Sequence, residues 1–448
     1  MKKTTLIISL FFLMLNAFSK EGLTVVAVGQ AEVEQDKMTF VATNVPSSAS
    51  ASEKKTINEL QTLIQNDFAF YRQRFESVKS SGYEGMIASN DYSKLKAKGL
   101  RYYITSSFQK SLGGELSAKL TLFGVHEEKA LEDVQVIFDS SNVREKGHIA
   151  TDVLFQKITG TQSIFRSKIV FVSDIASGSG NDIKELYIMD FDGFNKKRLT
   201  HHKGTVISPA FSFDGKKVLY SLIKNTRSKH RNVNLLLLDI ETGKSKVVSS
   251  RKGINSGAVF MPDGKHIALT LSHQGNAELY ALNTETGATR RITKHFAPDV
   301  DPSINVTGTK MAFLSGRSGS GKPMIYVADP RSQEKDVKRI SYVGKYNATP
   351  RFSPDGSQIA FASWLDNRFD IFRVDENGDN LYRLTKDFGS NEDPTYSNDG
   401  QFIAFSSQRV LSRTKAVQNI YIMTADGEIL GQVTENFGNC STPRWSKY

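Results

Sequence analysis

The chain has a single cysteine in 448 residues, Cys440, so no intramolecular disulfide holds it and no lipid can be attached at a mature N-terminal cysteine. Its stability has to come from a buried core, which favours a large closed fold over a stapled mini-domain. Proline is scarce, 11 residues against 28 Phe and 15 Tyr, a composition of strands packed through aromatics and not of a disordered chain. Long apolar runs are missing too. The one candidate, Leu6 to Leu15, has about half the ~20 residues a membrane span needs. Lys2 and Lys3 precede it and Ala17-Phe18-Ser19 follows, the layout of a cleavable secretory signal over 1–19 with a mature start near Lys20. An exported, soluble chain without a transmembrane anchor is expected. Blocks of like charge are also lacking. The formal charge is +11, about +9 once Lys2 and Lys3 are removed, but Lys and Arg are spread along the chain. That spread describes a basic soluble surface and argues against nucleic acid as a partner.

Catalytic signatures are absent: the sequence holds no H-E-x-x-H, C-x-x-C or G-x-S-x-G. GRSGSGKP (316–323) imitates a phosphate loop, but Pro323 stands where Ser or Thr is required, and the segment joins two strand patterns, so it reads as a hairpin loop. Asp190, Asp192 and Asn195 alternate as oxygen ligands of a calcium loop do, yet the distant bidentate Glu is missing and turn chemistry explains them better. His201-His202 is the only histidine pair, and zinc would need two more ligands. No catalytic residue, metal or cofactor is expected.

What is present is a repeat. SPAFSFDG (208–215), GAVFMPDG (257–264), DPSINVTG (301–308), TPRFSPDG (349–356), DPTYSNDG (393–400) and TPRWSKY (442–448) align. Their large apolar residues, Phe211, Phe260, Ile304, Phe352, Tyr396 and Trp445, are 49, 44, 48, 44 and 49 residues apart, the length of a four-stranded propeller blade. They read as core, each filling the gap to a neighbouring sheet, and not as a ligand cage. Each of the first five copies is followed by a second strand such as KKVLYSL or SQIAFAS, a third such as LLLLD or IFRVD, and a turn and short fourth strand such as RRIT or YRLT. KIVFVSD (168–174), ELYIMD and KRLT lack a first strand before them, and TPRW has nothing after it. The two ends therefore complete one blade, and the expected fold is a mostly β, six-bladed propeller over 161–448 closed by the C-terminal strand. Residues 20–160 lack the period and read as a small α/β domain with an N-terminal arm. It has strands at 24–30, 38–45, 100–109, 115–125 and 133–139. One helix starts at Ala51 or Ser52 with the stripe Ile57, Leu60, Leu63, Ile64, Phe68, and a second runs over 148–160 to Gly160.

HIATDVLFQKITGTQSIFRSKIVFVSD (148–174) resembles the helix and domain junction of the TolB family, and LYIMDFDGFN (186–195), with its D-x-D-G-x-N turn, resembles that family's first propeller repeat. The resemblance implies a monomeric, non-enzymatic periplasmic scaffold of a Tol-Pal-like system, supporting envelope integrity and cell division. It implies a peptidoglycan-associated lipoprotein over the propeller mouth and a TolA-like inner-membrane protein on the arm that carries Glu21, Leu23, Val25, Val26 and Val28. In the repeat frame the mouth loops carry Ile207, Asn255, Asp299, Asp301, Asn347, Asn391, Glu392, Asn439 and Ser441, the expected partner-binding rim. Ile254-Asn255 departs from the family's His-Asn. The competing reading is a propeller enzyme or ligand-binding protein that takes a small anion or peptide in the channel. There the first strands present Ala210, Val259, Ser303, Arg351, Thr395 and Arg444, with Arg351 and Arg444 as the anion-binding pair.

Overall fold

The computed structural model describes residues 35–43, 45–111, 113–177, 183–224, 232–319 and 322–447. The expected signal and the arm at 21–28 lie outside these residues. The N-terminal region forms β1 (Asp36–Thr43), α1 (Ala51–Phe70), β2 (Phe75–Ser77), α2 (Glu84–Ala88), α3 (Tyr92–Ala97), β3 (Leu100–Lys110), β4 (Leu116–Gly124), β5 (Lys129–Phe138) and α4 (Val143–Thr159). The five strands make one sheet in the order β2-β1-β3-β4-β5, with β1 parallel to both neighbours and the rest antiparallel.

α1 starts where it does because Ser50 and Glu53 form a capping box: the Ser50 Oγ accepts from the Glu53 amide and the Glu53 carboxylate accepts from the Ser50 amide. Its expected stripe, Ile57, Leu60, Leu63, Ile64 and Phe68, is buried. α4 begins five residues before the expected 148, because its first turn, Arg144-Glu145-Lys146, is polar and carries no apolar period. It ends at Gly160 in the left-handed conformation (φ 73°). α1 and α4 touch closely at Gly147, where an added Cβ would stand 2.7 Å from Leu63 and 2.9 Å from Leu60. The sequence reading missed α2 and α3, which at five and six residues are too short to show a helical period.

Six four-stranded sheets follow. Five are sequential, with inner strands Thr205–Phe211, Asn255–Phe260, Asp299–Ile304, Asn347–Phe352 and Ser390–Tyr396, here blades one to five. Blade six pairs the inner strand Cys440–Trp445 with β6 (Lys168–Ser173), β7 (Glu185–Asp190) and β8 (Lys197–Arg198), so the last strand lies against the first three propeller strands. The register places Trp445 opposite Ile169 and Cys440 opposite Ser173. Each inner strand packs against the inner strands of both neighbouring blades, and the contacts run in an unbroken circle.

Of the six repeated apolar positions three behave as core, while Phe211, Phe260 and Ile304 are half-buried. Phe352, Tyr396 and Trp445 are buried between blades, and the Trp445 indole N–H donates to Ser167 Oγ at 2.7 Å. The N-terminal region sits on the face that carries the Asp-Gly turns of blades five and six. Tyr71 hydroxyl donates to Asp399 at 2.7 Å and accepts from the Ile164 amide at 3.0 Å, while Phe70 packs edge-on against Phe402 and Phe191. Arg72 pairs with Glu428 at 2.7 Å and Arg144 with Asp192. Since strands alternate in direction, the loops that enter the inner strands and the hairpins between second and third strands all open on the opposite face, the mouth.

Candidate functional site

One residue of every inner strand has a positive φ: Ser208 (51°), Gly257 (61°), Asp301 (53°), Thr349 (50°), Asp393 (56°) and Thr442 (49°). The ladder to the second strand shifts register at each of these points. Five of the six precede proline, Pro209, Pro302, Pro350, Pro394 and Pro443, whose missing N–H costs nothing at a bulge. A β-branched threonine in this region is an outlier that costs on the order of 1–3 kcal/mol, so the ring of bulges is held by the closed fold around it. The bulges re-aim the side chains that follow.

Two of these positions are acidic, and two residues further on the neighbouring blades are basic. Arg351 Nη2 donates to Asp301 Oδ1 at 3.0 Å, and its Nη1 to the Pro350 carbonyl at 2.6 Å. Arg444 is buried, with Nη1 on the Pro443 carbonyl at 2.7 Å, and burial and the nearby Arg351 push its pKa down to about 9 against the pull of Asp393 and Asp301. Asp393, raised by burial, accepts from the Thr442 amide at 3.2 Å. The expected channel arginines are thus already faced by two carboxylates of the same channel. The other first-strand positions supply no reactive group. Ser303 and Thr395 accept from the Phe352 and Trp445 amides at 3.1 and 3.3 Å, stitching adjacent blades, and Ala210 and Val259 are apolar.

Glu392 stands beside this cluster at the mouth end of blade five. Burial, then Asp393, raise its pKa to about 7. Because the folded value lies above the usual 4.5, Glu392 favours folding when neutral, and that contribution is lost as pH rises through about 7. Glu392→Gln is expected to match the parent near pH 4.5 and to exceed it by about 1–3 kcal/mol at pH 8.5, after discount for its partial exposure. Melting curves across that range test this, and a difference independent of pH contradicts it.

The expected rim needs correction. Asn255, Asp299, Asn347 and Asn391 have zero exposure and serve the fold. Asn255 accepts from Ser249 Oγ (2.6 Å) and the Arg251 amide (3.1 Å) and donates to the Val233 carbonyl (2.9 Å), tying blade two to blade one. Asn347 donates to the Val343 carbonyl and to Ser363, Asn391 to Asp370 and Thr385, and Asp299 pairs with Arg317 at 2.6 Å. Asp301 is committed to Arg351. Asn439 is exposed but caps Asp174 through its amide and side chain, at 2.6 and 2.8 Å. Ile207 is half-buried against the second strand of blade one, and Ser441 and Glu392 are half-buried.

Among the exposed lysines of these loops (Lys252, Lys294, Lys345) the mouth also presents large apolar side chains. Phe296 is 83% and Tyr342 70% exposed, each in a loop leading into an inner strand, and Ile254 and Tyr346 are exposed in the same set of loops. Large apolar side chains gathered on one face of a soluble protein mark a docking surface. The signal was in the sequence, as aromatics in KHFAP and SYVGKY between a fourth strand and the next first strand, where polar loop residues are the norm.

The other motifs stay structural. Asp190 accepts from Asn195 and Lys168, while Asp192 accepts from Arg144 and lies 4.0 Å from His148, whose other ring nitrogen meets buried Asp67 at 3.0 Å. This is the group with metal-like spacing among the described residues, and each of its carboxylates already faces a cation. His202 pairs with the Tyr220 hydroxyl at 2.7 Å.

A family model described as the TolB beta propeller domain matches residues 155–448. The chain belongs to the TolB propeller family. A relative named "Tol-Pal system protein TolB" from Francisella tularensis subsp. holarctica is 29% identical over 316 residues, 68% of this chain and 69% of that protein. The protein of the same name from Francisella tularensis subsp. tularensis matches to the same extent. Among solved structures, TolB from Acinetobacter baumannii superposes with a TM-score of 0.72 at 24% identity, covering 93% of this chain and 98% of that one. This TolB-family chain therefore shares the whole architecture with that structure, N-terminal α/β region included. Among the described residues no helix is long and apolar enough to cross a membrane.

Proposed function

We propose that the chain is a periplasmic, non-enzymatic scaffold of a Tol-Pal system, docking a peptidoglycan-associated lipoprotein on the propeller mouth and a TolA-like inner-membrane protein on the segment at 21–28. Family membership supports the system, and the mouth loops support the mode. The observation that carries the reading is the set of exposed aromatics, Phe296, Tyr342 and Tyr346, on the face turned away from the N-terminal region. A channel reaction has less support, because Arg351 is already paired with Asp301, and Ser303 and Thr395 already accept from the backbone amides of the next blade.

Capture of partners in cells by crosslinking a tagged chain tests this. The parent is expected to recover an outer-membrane lipoprotein and a Tol-like inner-membrane protein. Phe296→Asp with Tyr342→Asp is expected to lose the lipoprotein by more than about tenfold, since exposed aromatic anchors carry on the order of 2 kcal/mol or more each. Deletion of 21–28 is expected to lose only the inner-membrane protein. Recovery of neither partner by the parent would overturn the reading.

A further inference from the structure

Blade five differs from blade four in the hairpin between its second and third strands, Phe402–Ser412 and Lys415–Thr424. The inner strand stops pairing at Gln408, but the two hairpin strands continue together through Arg409–Val417 and Val410–Ala416 to Ser412–Lys415. The last four residues of the outgoing strand thus project about 13 Å past the sheet as a two-stranded ribbon. In blade four the equivalent hairpin closes tightly, at Asp366 and Asn367.

The ribbon is braced at its base and bare at its tip. Arg409 lies over the Phe388 ring, 4.0 Å from the centroid, and donates to the Phe388 carbonyl at 3.1 Å. Beyond it Val410 is 77% and Leu411 59% exposed, next to the exposed Arg413 and Lys415, for which no ion pair is found among the described residues. No Asp or Glu occurs between Asp399 and Asp426. The arrangement is an aliphatic tip flanked by cations on a convex, self-paired ribbon. A convex tip offers no pocket for a partner's side chain. It matches a flat, deformable and negatively charged surface, into which aliphatic side chains dip while basic ones stay at headgroup level.

We propose that the blade-five hairpin tip binds the anionic phospholipid surface of a bilayer through Val410, Leu411, Arg413 and Lys415. The tip opens on the mouth face, so binding there sets that face toward the membrane in which a lipoprotein would be anchored. Only this last orientation rests on the proposed scaffold role; lipid binding itself stands or falls without it.

The test is cosedimentation of the mature chain with vesicles of phosphatidylcholine plus phosphatidylglycerol, and with phosphatidylcholine alone. Binding to the mixed vesicles is expected to exceed that to the neutral ones by about tenfold or more, and to fall as salt screens it. Arg413→Glu with Lys415→Glu is expected to abolish the difference. Val410→Ser with Leu411→Ser is expected to weaken mixed-vesicle binding severalfold, with the parental melting temperature kept in both variants. No binding by the parent, or undiminished binding by both double variants, would overturn the proposal. Hairpin variants that lose partner protein in cells while their vesicle binding is unchanged would overturn it too, by showing the tip to be a protein contact. Should a double variant misfold, Arg413→Gln alone supplies the graded loss.

Discussion

A chain lacking residues 441–448 is expected to lose its single cooperative unfolding transition, with its main melting step lowered on the order of 10–20 °C. Those residues are nearly the whole inner strand of blade six, which pairs with β6 and packs against the inner strands of blades one and five. Their removal takes away Trp445, buried in the cluster that joins propeller and N-terminal region, and its bond to Ser167. Loss of a buried aromatic alone costs about 3–5 kcal/mol. The cut also exposes the inner edge of β6, a template for aggregation. Trp445→Ala separates the two contributions: it is expected to show the aromatic cost while keeping a single transition. Calorimetry decides, and an unchanged midpoint in the truncated chain would refute ring closure as a source of stability.

Asp370→Ala is expected to destabilise by about 3–5 kcal/mol, read as a lower denaturant midpoint. Asp370 is fully buried and receives bonds from Arg383 (2.5 Å), Arg368 (3.3 Å), Thr385 (2.9 Å) and Asn391 (3.2 Å). The aspartate thereby ties the third and fourth strands of blade four to the inner strand of blade five. Blade two repeats the device with Glu278, which receives Arg291 (2.9 Å), Thr293 (2.6 Å) and the His295 amide (2.8 Å). Truncation of the acid leaves the buried Thr385 and Asn391 donors without their acceptor, and leaves Arg383 and Arg368 only their more exposed partners, Asp366 and Asp387. Asp370→Asn keeps the shape and an acceptor and is expected to cost less. Equal loss in both variants would assign the effect to the charge, and no loss in either would deny the cluster its role.

The six blades and their closure were legible because the period of the aromatic position and the unmatched ends of the repeat are properties of spacing, which survive any change of surface. The α1 stripe was legible for the same reason. The rim was misread because Asn and Asp at a repeat junction look like loop ligands. In the fold the junction falls at the start of an inner strand, where all three asparagines are buried: Asn255 and Asn391 bond the preceding blade, and Asn347 ties its entry loop to the second strand of its own blade. The channel arginines were found, but not the pairing of Arg351 with Asp301, since the two come from different blades and lie fifty residues apart in sequence. The hairpin extension was invisible to the repeat frame, which counts what blades share and is blind to what one blade adds.

The pairing of Trp445 with Ile169 also fixes the order in which the disc can be completed. A chain made from its N-terminus presents β6 long before the strand that will cover it exists, and so distant a pairing is slow to find. Until that strand arrives the molecule is an open fan with two raw edges, exposed to any chain that offers a strand first. Assembly of this protein is therefore a race between its own tail and its neighbours, and dilution or a holding chaperone during synthesis should raise its yield more than any change to the finished core.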